Sequence, residues 1–146
     1  MAARNGSAEW KGDLQSGTGT LSLGSGSFSG PYSFTSRFED GSGTNPEELI
    51  AAAHAACFAM AMSAILAQEG HPVDSVRTTA NVTLRRVDDA PTITKIELTA
   101  EGKVPGIDEA GVVQCTSWAG DGSHRIPMMQ RANQTPAVDS VRITVK

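Results

Sequence analysis

Cys57 sits in the middle of "NPEELIAAAHAACFAMAM", residues 45–62, a stretch that is otherwise alanine, methionine and other helix filler behind two carboxylates. A thiol in such a setting either packs as a small hydrophobe or acts as a nucleophile, and only the thiolate is nucleophilic. A free cysteine has a pKa near 8.5 and is mostly protonated at neutral pH, so nucleophilic use requires a cation that holds the anion. The helix cannot supply that charge. Cys57 lies about three turns beyond Pro46, and the positive end of a helix dipole acts only over its first turn. A cationic side chain from elsewhere in the chain is needed. His54, three residues before Cys57, is either a base for the thiol or a core imidazole with its hydrogen bond satisfied.

The second cysteine, Cys115, shares a 3-4 spacing with Val112 and Ala119, the pattern of an inward helix face. Two cysteines do not make a disulfide framework, so each is judged by its own surroundings. His54, His71 and His124 have no metal-ligand spacing with either cysteine, and no metal or other cofactor is expected. The formal charge of -4, without a basic face, argues against nucleic acid as a partner. Residues 1–10 carry Arg4 but no apolar run, so no secretory signal is read there and a cytoplasmic location is expected. Residues 49–67 are long enough to raise the question of a membrane. They are alanine-dominated, interrupted by His54 and flanked by Glu47, Glu48 and Glu69, which favours burial inside protein.

The elements that must position these groups are legible from pattern. Residues 6–38 mix Gly17, Gly19, Gly24, Gly26 and Gly30 with Thr, Ser and aromatics, which predicts short strands broken by turns. The glycines of residues 24–30 are spaced GxGxxxG with no helix after them, so they read as a turn rather than a phosphate loop. On this reading Arg37 is a surface residue on a strand. Thr44-Asn45-Pro46-Glu47-Glu48 starts a helix with a capping side chain, a first-position proline and favourable first-turn carboxylates; Gly70 and Pro72 stop it. No polar stripe runs through that helix, so it should be surrounded by protein. Val76, Thr78, Ala80, Val82 and Leu84 alternate with polar residues, as do Thr94, Ile96, Leu98 and Ala100, and the Asp88-Asp89-Ala90-Pro91 turn makes them antiparallel partners. A second helix is expected from near Asp108 to near Gly120, and Val141, Ile143 and Val145 form a closing strand. The class is α+β, with residues 1–146 as one domain.

Gly43-Thr44-Asn45-Pro46-Glu47-Glu48-Leu49, followed by Ala53-His54-Ala55-Ala56-Cys57-Phe58, resembles the OsmC/Ohr family of osmotically inducible and organic hydroperoxide resistance proteins. The likeness extends through Ser36-Arg37-Phe38-Glu39 to Val104-Pro105-Gly106-Ile107-Asp108, and His54 places it nearer the OsmC branch. The resemblance implies antiparallel sheets wrapped around long central helices in an intertwined homodimer, with active sites at its interface. It implies a cofactor-free thiol peroxidase for organic hydroperoxides, with Cys57 as the attacking thiol, Arg37 as its cationic partner and Glu47 as the carboxylate that orients Arg37. A second cysteine would form a disulfide that a lipoyl-type or other dithiol reduces. The position expected for that cysteine falls on Ser123, and Cys115, eight residues earlier, is the remaining candidate. In a continuous helix that offset is roughly 12 Å, beyond the roughly 7 Å between Cα atoms that a disulfide spans. An alternative is a binding protein with the same fold and apolar interface pocket but incomplete two-cysteine chemistry. Glu47 and Cys57 are ten residues apart, about 15 Å along a straight helix and about 80° off a common face. Sharing one site therefore requires a broken helix or a second subunit, and the sequence between them favours the second subunit.

Overall fold

Three strands at the beginning of the chain pair as a simple meander: β1 (Gly6–Lys11), β2 (Thr18–Leu23) and β3 (Ser29–Ser33), in the order β1-β2-β3 and antiparallel throughout. This computed structural model describes residues 3–116 and 140–145. Residues 6–33 of the glycine-rich segment are thus a set of strands and turns, as their composition predicts. Leu23 N–H donates to Phe28 O at 3.0 Å and Gly26 N–H to Leu23 O at 2.8 Å, closing the β2–β3 connection that the glycine spacing identified as a turn. Gly19 stands opposite both Trp10 and Tyr32. A Cβ there would run into the Tyr32 ring, and its absence lets the two aromatic rings meet with centroids 5.3 Å apart.

The expectation that Arg37 lies on a strand is not met. The chain turns after Ser33 into α1 (Phe34–Phe38), and Arg37 belongs to that short helix. The cause is local hydrogen bonding. Ser33 Oγ accepts from Ser36 N–H, and Ser36 Oγ accepts from Ser33 N–H, a reciprocal cap that satisfies two otherwise orphaned donors and begins a helix.

The described residues fall into two units, Met1–Leu49 and Ile50–Lys146. The helix α2 (Pro46–Gln68) starts in the first and supplies the second with its central element. Its ends are where the sequence puts them. Asn45 Oδ1 accepts from Glu48 N–H at 2.8 Å, Pro46 is the first helical residue, and Gly70 leaves the helix at φ +86° while His71 N–H returns to Leu66 O at 2.8 Å.

In the second unit, β4 (Ser75–Val87) and β5 (Ala90–Lys103) form a long antiparallel hairpin. Asp88 and Asp89, at φ 48° and 63°, make the two-residue turn that matches strand twist. Thr78 faces Ala100, Ala80 faces Leu98 and Val82 faces Ile96, the predicted inner row. A register shift between Thr83 and Leu84 breaks the alternation beyond that point. The strand β6 (Ser140–Val145) adds to β5 in parallel, and α3 (Glu109–Thr116) starts at Asp108, whose carboxylate accepts from Gly111 N–H at 2.9 Å. Gly120, the expected end of that second helix, lies outside the described residues.

Phe58, Met62 and Leu66 of α2 pack with Leu98, Ala100, Val104, Val112 and Ile143 in one core cluster. With His54 they form a buried stripe that repeats every four residues. The helix is long and apolar enough to cross a membrane by length and composition alone, but this stripe makes one of its faces a protein core. The opposite face differs from expectation. Ala53, Ala56, Met60, Ala64 and Ala67 are exposed, Met60 at 75%. The sequence correctly leaves this helix without a polar side, yet one chain covers only one of its two apolar faces. Leu66→Ala should therefore cost about 2–5 kcal/mol in urea unfolding, through lost burial and the cavity left behind, whereas Leu14→Ala, at a 63% exposed position, should cost under about 0.5 kcal/mol.

Candidate active site

Arg37 is delivered by a helix of only five residues, too short to be stable by itself, so its position depends on what ties that helix down. Ser36, 6% exposed, uses its hydroxyl to donate to Thr44 O at 2.8 Å. From the opposite side Asn45 Nδ2 donates to Ser36 O at 3.1 Å. Thr44 N–H donates to Pro31 O at 3.0 Å. Gly43, at φ +110°, permits the approach, since any Cβ there would press on Pro31 O. These contacts bring the last residues before α2 alongside α1.

The result is a side-on ion pair. Arg37 Nη2 donates to Glu47 Oε1 at 2.8 Å, and Nε lies 3.2 Å from both carboxylate oxygens. Glu47 is buried, and its side chain retains 11% exposure against 33% for Arg37. A charge removed this far from water must be paired, and the planar guanidinium matches a carboxylate edge to edge. First-turn position on α2 adds the favourable end of the helix dipole for Glu47. The guanidinium carbon also lies 5.1 Å from the centroid of the Phe38 ring, which in turn contacts Phe34 with centroids 4.9 Å apart. One edge of Arg37 is thus committed to Glu47, and Nη1 is the end directed away from that bond.

Cys57 belongs to the second unit, on α2, where it is half-buried against the core cluster. Burial pushes its thiol up from the ordinary value, because the low-dielectric surroundings disfavour the anion. His54, 2% exposed, has Nδ1 2.9 Å from Ile50 O. A carbonyl can only accept, so Nδ1 carries a proton and donates to it, which matches a core histidine with its hydrogen bond satisfied. Cys115 falls in the backbone of α3; its side chain, and Ser123, lie outside the described residues.

Of the residues singled out from sequence, the structure joins Arg37 to Glu47. Ser36 and Asn45 escaped notice as partners of that pair. Asn45 was visible only as a cap, and Ser36 was hidden because Ser33-Phe34-Thr35-Ser36 has serine where a capping box usually carries Glu or Gln. Breaking the pair should be asymmetric. Arg37→Ala strands a buried carboxylate and should lower stability by about 1–3 kcal/mol, more than Glu47→Gln, which leaves Arg37 partly hydrated and still facing an amide oxygen. Urea titration of the two variants compares them, and equal losses would mean that burial of Glu47 carries no weight.

Residues 39–116 match the OsmC-like protein family. Peroxiredoxin OsmC of Escherichia coli K12 is 50% identical over 115 residues, covering 76% of this chain and 80% of that protein. Among solved structures, an organic hydroperoxide resistance protein OsmC from Legionella pneumophila aligns with a TM-score of 0.64 at 19% identity, over 100% of this chain and 99% of the other. The organic hydroperoxide resistance protein OhrB of Bacillus subtilis aligns with a TM-score of 0.64 at 17% identity, over 97% and 98%. The α+β arrangement of two sheets and a long helix is the fold of those proteins, and with residues 39–116 matched by the family and a relative 50% identical over 115 residues, the chain belongs to the OsmC-like family.

Proposed function

We propose that this chain, acting as one OsmC-like domain over residues 1–146, is a cysteine peroxidase of oxidative and osmotic stress defence that reduces organic hydroperoxides. The names of its relatives, a peroxiredoxin and organic hydroperoxide resistance proteins, support a peroxidase-type role in stress defence. The observation that carries the finer reading is the side-on Arg37–Glu47 pair, a cation fixed by a buried carboxylate with one edge left for another anion.

The Cys57 thiolate attacks the terminal oxygen of R–O–OH. The S–O bond forms, the O–O bond breaks, and the alkoxide leaves and takes a proton to become the alcohol. Arg37 stabilises the thiolate before attack and the alkoxide as its charge develops, and Glu47 fixes the guanidinium. Cys57 is left as a sulfenic acid. The thiol of Cys115 then attacks that sulfur, expelling water and forming a disulfide. A lipoyl-type dithiol reduces the disulfide by exchange, and a reducing cytoplasm suits both cysteines.

Two subunits are part of the proposal. Burial alone pushes the Cys57 thiol up, so reactivity at neutral pH needs a guanidinium at the sulfur. α2 is one helix from Pro46 to Gln68, and ten residues of it are about 15 Å of rise. A pair anchored at Glu47 therefore serves the Cys57 of a second copy, and the exposed apolar face of α2 around Met60 is the surface that second copy covers.

Steady-state reduction of cumene hydroperoxide with a dithiol should vanish in Cys57→Ala and fall by at least about a hundredfold in Arg37→Ala. Mass spectrometry after one equivalent of peroxide should find Cys57 bridged to Cys115. Persistent sulfenic acid at Cys57 would remove Cys115 from the cycle, and an unmodified Cys57 would overturn the peroxidase reading. Met60→Glu should convert a dimer to monomers in sedimentation. In those monomers the midpoint of Cys57 alkylation should lie above that of a free cysteine, because burial raises its pKa with no guanidinium to oppose it. Monomers whose alkylation profile matches that of the parent would refute the two-subunit site.

A further inference from the structure

The buried hydroxyl of Ser36 and the carboxamide of Asn45 form a clamp on the peptide just before Arg37, and we infer that these two side chains are positioning residues that set the orientation of the Arg37 guanidinium. The inference rests on the proposed role of Arg37 beside the Cys57 thiolate and extends it to residues with no assigned part.

The bonds single out one short stretch of backbone. Ser36 O accepts from Asn45 Nδ2 at 3.1 Å, while Ser36 Oγ donates to Thr44 O at 2.8 Å and accepts from Ser33 N–H at 2.9 Å. Residue 36 is therefore held from both sides, next in sequence to Arg37. Asn45 is bifunctional: its Oδ1 caps α2 through Glu48 N–H at 2.8 Å, while its Nδ2 holds α1. One side chain thus links the residue before Arg37 to the residue after Glu47. A guanidinium used edge-on must have its plane as well as its position fixed, and a long flexible side chain does not fix its own root. Helix α1 has five residues and cannot do so by helicity. Errors near 1 Å in such placement cost up to about a hundredfold in rate.

The two duties of Asn45 can be separated. Serine caps a helix about as well as asparagine, but its single hydroxyl, engaged with Glu48 N–H, cannot also hold Ser36 O. Asn45→Ser therefore keeps the cap, loses the clamp and leaves the net charge unchanged. Ser36→Ala removes the other half, also without a charge change. In both variants the pH profile of Cys57 alkylation by iodoacetamide should move up by about one unit. Oxidation of Cys57 by cumene hydroperoxide at pH 7, followed by stopped flow, should slow roughly tenfold. The urea midpoint of Asn45→Ser should stay near that of the parent, and in an Arg37→Ala background neither change should move the profile further. A structural role alone would lower stability and leave the profile in place. An unmoved profile in both Asn45→Ser and Ser36→Ala, with Arg37→Ala moving it, overturns the clamp and leaves the peroxidase reading standing. An unmoved profile in Arg37→Ala overturns the role of Arg37 and the clamp with it.

Discussion

A carboxylate withdrawn from water and closed by one guanidinium is the constraint around which the first unit is arranged. Glu47 is tolerable at its depth because Arg37 meets it edge to edge and because it occupies the first turn of α2, where the helix dipole favours negative charge. The same bond restrains Arg37, whose side chain would otherwise sample many rotamers. Neither residue can be placed without the other. The hydrogen bonds through Ser36, Thr44 and Asn45 hold α1 and the start of α2 side by side, at the separation where the two charges meet.

The second unit is organised by a different rule. Helix α2 buries His54, Phe58, Met62 and Leu66 at intervals of four, and that spacing meets the alternating inner face of the β4–β5 hairpin in a single apolar cluster. Its remaining apolar face, small except for Met60, is left exposed by the described residues. Cys57 lies between these two faces, half in the core. Burial there raises the pKa of the thiol, because the low-dielectric surroundings disfavour the anion.

Much of the architecture was legible because its signals are periodic or local. The hairpin is written in a period of two over residues 76–84 and 94–100, and the two aspartates between its strands accept the positive φ that the turn requires. The long helix announces both ends through Asn45-Pro46 and Gly70. Arg37 was misplaced because a five-residue helix has no period to read, and the serine cap that starts it resembles the surrounding Ser- and Thr-rich strands. The bulge at Thr83 and Leu84 was equally hidden, since slipping a strand by one residue leaves composition untouched.

By itself the sequence determined which residues could carry chemistry, the type and ends of the long helix, and the pairing of β4 with β5, because each depends on side-chain type and short-range spacing. The tertiary structure decided the bonding of Arg37 to Glu47, the bracing of both through Ser36 and Asn45, and which face of α2 is buried. The physical reason is that hydrogen bonds and burial depend on distance in space, and residues ten apart in the chain share a bond only when the backbone between them folds back.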